Sequence, residues 1–103
     1  MVVRIEDQVF QTLTEFYEFS LAKHPALDEA TVVAKEKRLI EAMKGLDKHA
    51  SAHPLATRHM PWVRKGYLDF PYEGFHFGYK IETLPSGEKV IVIYEVCHDL
   101  LYY

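Results

Sequence analysis

Cysteine is almost absent from this chain of 103 residues, with Cys97 as its single example. One cysteine cannot form a disulfide within the chain, which excludes the disulfide-stapled secreted domains and favours a reducing compartment. Long apolar runs are also missing, since no stretch approaches the ~20 residues that a membrane-spanning helix needs. The N-terminal stretch MVVRIEDQVF lacks the apolar segment of a signal peptide. We therefore expect a cytoplasmic protein with no membrane partner.

Basic residues are not in excess either. Twelve Lys and Arg stand against fifteen Asp and Glu, which gives a formal net charge of −3. Nucleic-acid binders usually carry a basic excess because phosphate contacts dominate their affinity. A role on RNA or DNA would therefore need a local basic patch, or a partner that supplies the positive charge.

Apolar and aromatic residues are abundant. They make up 49% of the chain, with seven Tyr and six Phe, which is enough for one packed core. A chain of this length usually forms one domain, so we expect a single domain over residues 1–103.

The N-terminal half predicts a strand followed by two helices. VVRI is typical of a first or edge strand. Apolar residues then recur at helical spacing from Glu6 to about Ala22, and Pro25 marks a stop. Asp28 is a candidate N-cap for a second helix, which ends before Pro54. The predicted apolar stripe of that helix consists of Ala30, Val33, Ile40, Met43 and Leu46.

The C-terminal half predicts three consecutive antiparallel strands. KGYLDF and GFHFGYKIET supply the first two, and Phe75, Phe77 and Tyr79 alternate with polar residues or glycine along the second. VIVIY is apolar on both faces, as is typical of a strand in the interior of a sheet. The predicted fold is α+β: an N-terminal strand, two helices, and a three-stranded antiparallel segment that completes one twisted sheet under the helices.

Metal, cysteine and phosphate-loop chemistry are poorly supported. His49 and His53 stand four apart, a spacing that suits two ligands on one helix face, but no carboxylate completes a known motif. Cys97 and His98 are adjacent on a strand, so their side chains point to opposite faces, and we expect Cys97 to be a small buried apolar residue. No glycine-rich loop has a phosphate-cradling pattern. We predict no metal site and no cofactor.

His98 is the strongest single candidate for chemistry. An imidazole can give or take a proton near neutral pH, and the predicted interior strand would hold this residue in place. The alternative is a surface histidine bonded to Asp99 or to the backbone. Basic residues near the sheet segment could clamp a phosphate or could be solvated loop charges; they are Arg58, Arg64, Lys65 and Lys80.

The order of these segments resembles the RelE/ParE superfamily of bacterial toxins from toxin–antitoxin modules, over essentially the whole chain. The C-terminal half is most similar to the YafQ-like branch of ribosome-dependent mRNA interferases. The segments that carry this likeness are, in order, His53-Pro54-Leu55, Trp62, Lys65-Gly66-Tyr67-Leu68-Asp69, Phe77-Gly78-Tyr79-Lys80, Val90-Ile91-Val92-Ile93 and His98-Asp99-Leu100-Leu101-Tyr102.

The resemblance implies an enzyme that cleaves mRNA in the ribosomal A site by driving a 2′-hydroxyl onto the adjacent phosphate. That reaction needs a base, an acid for the leaving oxygen, and cations for the charge on phosphate. The resemblance also implies that His98 and His53 are the residues that transfer protons. A third family histidine falls at position 70 or 71, where neither residue can transfer a proton, so Glu73 or His76 would have to substitute. Substrate contacts would come from Arg64, Lys65, Lys80 and Tyr102.

The C-terminal tail is expected to be ordered and to form part of this site. His98, Tyr102 and Tyr103 should line a shallow concave surface with Arg64, Lys65 or Lys80, where Tyr102 could stack on a base. Leu100 and Leu101 should pack on the core. The alternative is that both tyrosines only cover the end of the sheet.

Departures from the family pattern keep other functions open. Besides the missing histidine, Leu68 stands where the family has an arginine, and the net charge is acidic. The same scaffold serves ParE-type toxins that poison DNA gyrase without cutting RNA, and a degenerate, non-toxic member would still bind an antitoxin-like partner. In each case an antitoxin is expected to pack an amphipathic segment against surplus aromatic side chains, namely Tyr67, Phe70, Tyr72, Phe75 and Phe77.

Overall fold

The computed structural model describes residues 1–24, 26 and 28–102. Pro25, expected to stop the first helix, and Tyr103, expected to be ordered in the tail, lie outside the described residues. The elements are β1 (Val2–Ile5), α1 (Asp7–Lys23), α2 (Glu29–Lys44), α3 (Met60–Lys65), β2 (Leu68–Tyr72), β3 (Phe75–Thr83) and β4 (Lys89–His98). The α+β class and the order of one strand, two helices and three strands are as predicted, and α3 is an addition.

The four strands form one mixed sheet in the order β1-β4-β3-β2. β1 runs parallel to β4, with Val2 opposite Val90, while β3 is antiparallel to both of its neighbours, β4 and β2. The prediction that VIVIY lies in the interior of a sheet is confirmed, because β4 has a hydrogen-bonded strand on each side. β1 is an edge strand, as its short β-branched sequence indicated.

Helices α1 and α2 cover one face of the sheet, here called the helix face, and enclose the main core. α1 buries Val9, Leu13 and Tyr17, which lie one above the other at a spacing of four residues. Phe77, Tyr79 and Ile91 meet them from the sheet, together with other apolar residues of β3 and β4. In the described residues no helix has the length and apolar character to cross a membrane.

The second helix begins as predicted but turns a different face to the sheet. Asp28 caps it by accepting a hydrogen bond from the amide of Ala30 at 3.1 Å. The buried residues are Val32, Leu39 and Met43, whereas Val33 is 44% exposed, so the predicted stripe was wrong at its first positions. The pairs Val32-Val33 and Leu39-Ile40 are apolar at both members, and periodicity alone does not decide which member of each pair faces the sheet.

The opposite face of the sheet is covered near the C-terminal end of β4 by a small aromatic group. The segment before β2 pairs with that strand's edge, because Asp69 donates its amide to Pro54 at 2.9 Å and Ala56 donates to Tyr67 at 2.9 Å. α3 then places Trp62 over the sheet. We call this group the Trp62 cluster; its buried members are Ala56, Trp62, Tyr67 and Tyr102, with Tyr94 and Cys97 packed against it.

A β-bulge in β4 decides which side chains reach each face. Gly78 pairs with Glu95 and Tyr79 pairs with Ile93, so Tyr94 is an extra residue in the ladder. After Tyr94 the side chains of β4 again alternate between the two faces of the sheet. His98 therefore pairs with Phe75 and lies on the helix face. Cys97 points to the opposite face, where it is half-buried rather than fully buried, and burial raises the pKa of its thiol.

Candidate active site

A cleft of about 410 Å³ opens on the helix face where β4 ends. We call it the His98 cleft. Its lining residues are Phe16, Tyr17, Lys35, Arg38, Glu73, Phe75 and His98. Five parts of the chain contribute, since α1, α2, the turn between β2 and β3, the start of β3 and the end of β4 meet here. The cleft therefore combines an imidazole, a carboxylate, a phenol and two cationic side chains.

His98 is held between two aromatic rings. Its ring stacks on Phe16 of α1 at 4.9 Å between centroids and meets the edge of Phe75 at 5.2 Å. Its Nδ1 accepts a hydrogen bond from the amide of Leu100 at 3.2 Å. In the neutral ring the single hydrogen is therefore on Nε2, and the ring is half-buried. The packing fixes this imidazole at the wall of an open cleft.

Glu73 reaches the cleft from a strained turn. It has φ of 45°, in the left-handed region, and is the only non-glycine residue with positive φ among those that the structure describes. With Gly74 at φ of 83° it joins β2 to β3 as a two-residue hairpin loop, a position that favours Asn, Asp or Gly. A glutamate in this conformation costs roughly 1–3 kcal/mol, and such outliers concentrate at functional sites.

The cations come from the exposed face of α2. Lys35 and Arg38 are three residues apart, so they project from the same side of the helix. Arg38 lies 3.4 Å from the Glu73 carboxylate, and both side chains are substantially exposed, so the pair is weak and Arg38 can turn to an incoming anion. Among the lining residues two cations stand against one carboxylate, and Glu36 of α2 lies close enough to act on Tyr17 as a second carboxylate.

Tyr17 closes the floor of the cleft. Burial raises the pKa of its hydroxyl, with a further contribution from the carboxylates of Glu36 and Glu73. The phenol is therefore a neutral hydrogen-bond donor at physiological pH.

An apolar groove of about 430 Å³ continues from the cleft along α1 and shares Phe16 and His98 with it. Leu100 and Leu101 line this groove and are 80% and 61% exposed, so the prediction that they pack on the core was wrong. The short 3₁₀ turn Asp99–Leu101 directs them outward.

The structure brings together only part of the predicted site. His98 and Glu73 share the cleft, whereas His53 is not one of its lining residues. His53 instead bonds to His49, with 2.7 Å between Nε2 and the Nδ1 of His49, and packs on Phe70. Burial lowers the pKa of His53, and the neighbouring His49 lowers it further.

The predicted substrate-binding residues belong to the other side of the sheet. Lys65 bonds to Glu95 at 2.7 Å, and both Lys65 and Lys80 lie over the ring of Tyr67. Arg64 is exposed in the last turn of α3. Tyr102 is buried in the Trp62 cluster, so the expected surface shared by His98, Tyr102 and these cations does not form. The bulge at Tyr94 is the reason, since it moves His98 to the helix face.

Lys35, Arg38 and Tyr17 were missed as site residues. The run AKEKRLIEAMK has the charge density of an ordinary solvated helix face, and Tyr17 fits the apolar period of α1. Nothing in the sequence near either helix marks the point where they meet the end of β4. Within the part of the chain that the structure describes, no group of three or more His, Cys, Asp or Glu could hold a metal ion.

Comparison with protein-family models, with curated proteins and with solved structures finds no match to this chain. Its function is therefore inferred from the chemistry of the cleft and from the resemblance of its segments.

Proposed function

We propose that this protein is the toxin of a type II toxin–antitoxin module and acts as a ribosome-dependent endoribonuclease. Its partners would be a cognate antitoxin and mRNA on the ribosome, which places its action in the cytoplasm. The observation that carries the proposal is the His98 cleft, where an imidazole and a carboxylate lie beside Lys35 and Arg38. Acid–base groups next to cations are what cleavage of an RNA phosphodiester requires.

A RelE/ParE-like fold is part of this proposal. It is supported by the order of one strand, two helices and three antiparallel strands, with both helices on one face of the sheet. The acidic net charge of −3 is compatible with an RNA substrate because two cations, Lys35 and Arg38, line the cleft, and because the ribosome would present the mRNA.

The proposed reaction assigns one role to each group in the cleft. The Glu73 carboxylate removes the proton from the 2′-hydroxyl, and the 2′-oxygen attacks the adjacent phosphorus. The bond from phosphorus to the 5′-oxygen breaks, and that oxygen takes a proton from the His98 imidazolium. Arg38 and Lys35 stabilise the negative charge on the phosphoryl oxygens. The products are a 2′,3′-cyclic phosphate and a 5′-hydroxyl.

His98 must exchange a hydrogen bond in order to act as the acid. The imidazolium carries hydrogen on both nitrogens, so its Nδ1 can no longer accept from the Leu100 amide. Leu100 lies in an exposed turn, where water can replace that bond. His53 and Tyr102 have no part in this mechanism.

The direct test is cleavage of a reporter mRNA in a translating extract, with the cut ends mapped by primer extension. We expect cuts inside the translated region and none in untranslated RNA. His98→Gln and Glu73→Asn should each slow cleavage by about 10²–10⁴-fold, the usual contribution of a general acid or base. Asparagine is favoured at the φ of residue 73, so Glu73→Asn should melt no lower than the wild type.

Matched arginine variants distinguish the two faces of the sheet. Arg38→Gln should lose cleavage, while Arg64→Gln, which changes an exposed arginine on α3, should retain it. Translation that stops while the mRNA stays intact would contradict the proposal, and would favour a toxin that binds its target without cutting RNA. Full cleavage by His98→Gln would contradict it as well.

A further inference from the structure

His76 is buried between two carboxylates on the face of the sheet opposite the His98 cleft. Its Nδ1 lies 2.9 Å from Oδ1 of Asp69 on β2, and its Nε2 lies 2.7 Å from Oδ1 of Asp99 in the C-terminal turn. The residue is only 9% exposed. Both ring nitrogens are thus used, and neither is available to a substrate.

With both carboxylates ionised, only a charged ring satisfies the two contacts. An ionised carboxylate only accepts hydrogen bonds, so each nitrogen must donate, and an imidazole that donates from both nitrogens is an imidazolium. Stacking adds to this, because the Tyr102 ring lies parallel to His76 at 3.8 Å between centroids, and an aromatic face attracts a cation. The second oxygen of Asp69 accepts the Tyr102 hydroxyl at 3.0 Å.

These contacts are concentrated on the last described residues of the chain. Asp99 also donates its amide to the carbonyl of Gly74 at 2.8 Å, and Tyr102 donates its amide to Asp99 at 3.2 Å. The ring of Tyr102 then closes over Trp62 at 5.4 Å. The turn at residues 99–102 is thereby fixed to β2 and β3 through His76.

We propose that the His76 imidazolium is a pH-sensitive latch that locks the turn at residues 99–102 onto the sheet, and that loss of its proton releases this turn from the Trp62 cluster. A neutral ring can donate from one nitrogen only, so one carboxylate would then face a lone pair instead of a hydrogen. The latch does not depend on the proposed RNA cleavage. If that cleavage occurs, His76 is in addition a positioning residue for His98, which directly precedes Asp99.

The other groups around the latch fix the direction of its pH response. The hydrogen bond from His76 lowers the pKa of Asp99, so this carboxylate stays ionised well into acid. Burial raises the pKa of Tyr102 to about 12, and its hydroxyl keeps donating at neutral and mildly alkaline pH. Cys97 pairs with His76 across the strands and is a neutral thiol, because burial raises its pKa. Arg58 and His59 lie against the ring of Tyr102, and Arg58 and His98 also help to lower the pKa of Asp99.

The latch is therefore closed only between a lower and an upper pH limit. It opens as the pH rises and His76 becomes neutral. It also opens in strong acid, where Asp99 is protonated as the pH falls through its lowered pKa.

Trp62 reports the latch directly, because it is the single tryptophan and is buried beneath Tyr102. We expect its emission to shift to the red, and its quenching by acrylamide to increase, as the pH is raised and His76 loses its proton. Far-ultraviolet circular dichroism should stay constant through this transition, since only the turn is released. His76→Gln should show the exposed Trp62 signal throughout, with no transition.

Two further variants keep the test decisive. His59→Gln removes the other nearby histidine and should retain the transition, and so should His98→Gln, whose ring lies on the helix face. An unchanged Trp62 signal in the wild type as the pH is raised would overturn the latch, as would a transition that persists in His76→Gln. These readouts need no RNA, so failure of the latch and failure of the proposed cleavage are distinguishable.

Discussion

Two histidines at the same end of the sheet have opposite surroundings. His98 lies on the helix face at the wall of an open cleft, and its ring accepts a hydrogen bond from the Leu100 amide. His76 lies on the other face, buried, with a carboxylate on each ring nitrogen. The comparison shows that residue type alone does not make a catalytic candidate. A histidine that can exchange protons with a ligand needs an available nitrogen, and one that holds a chain segment needs both nitrogens occupied.

The two faces around these histidines differ in the same way. The helix face combines the large apolar core with a polar opening at its end. The opposite face carries a small aromatic cluster whose polar atoms bond to one another, as the Tyr102 hydroxyl does with Asp69. We infer that the helix face supplies stability over most of its area and chemistry at one edge, while the Trp62 cluster mainly holds the turn at residues 99–102.

The largest loss of stability is expected from a change in the core of the helix face. Phe77 is fully buried beneath both helices, and Phe77→Ala should lower the free energy of unfolding by about 3–5 kcal/mol. Phe19→Ala is the matched control, because Phe19 is 62% exposed on α1 and its truncation should change stability by no more than about 0.5 kcal/mol. Urea denaturation measures both variants. Equal effects would contradict the assignment of the core to this face.

A smaller loss is expected from overpacking the opposite face. A Cβ at Gly78 would lie 2.7 Å from the Tyr67 ring and 3.2 Å from the Trp62 ring, both of which are buried. Gly78→Ala should therefore cost about 1–3 kcal/mol and disturb the Trp62 fluorescence. Gly45→Ala has open space around the new Cβ and an ordinary backbone conformation, so it should be neutral or slightly stabilising. A Gly78→Ala protein as stable as Gly45→Ala would show that the cluster is loosely packed.

Much of the fold could be predicted because local patterns agree with it. Three local patterns each indicate one kind of element: the helical spacing in α1, the Asp28 cap and the apolar run of β4. What could not be predicted was the bulge at Tyr94. If side chains alternated without interruption from Ile91 and Ile93, Cys97 would lie on the helix face and His98 on the opposite face, with Lys80. One extra residue reverses this, and no glycine or proline in β4 marks the site.

The candidate site was harder to predict than the fold for the same reason. Glu73 and His98 were identified as residues that could transfer a proton, but their cationic neighbours were sought on β3 and α3. Lys35 and Arg38 lie on a helix far earlier in the chain, Arg38 being 35 residues before Glu73, and only the packing of α2 brings them to the cleft. α3 itself was missed because MPWVRK is too short to show a helical period.

The most direct test of the account is the surface to which RNA binds. We would titrate the ¹⁵N-labelled protein with a short single-stranded RNA whose 2′-hydroxyls are methylated, so that it binds without being cut, and follow the amide signals. The account predicts that the largest shifts fall on Lys35, Arg38, Glu73 and His98, while Arg64, Lys65 and Lys80 change little. Shifts that concentrate on the latter three, with the His98 cleft unaffected, would contradict the assignment of the active site to the helix face.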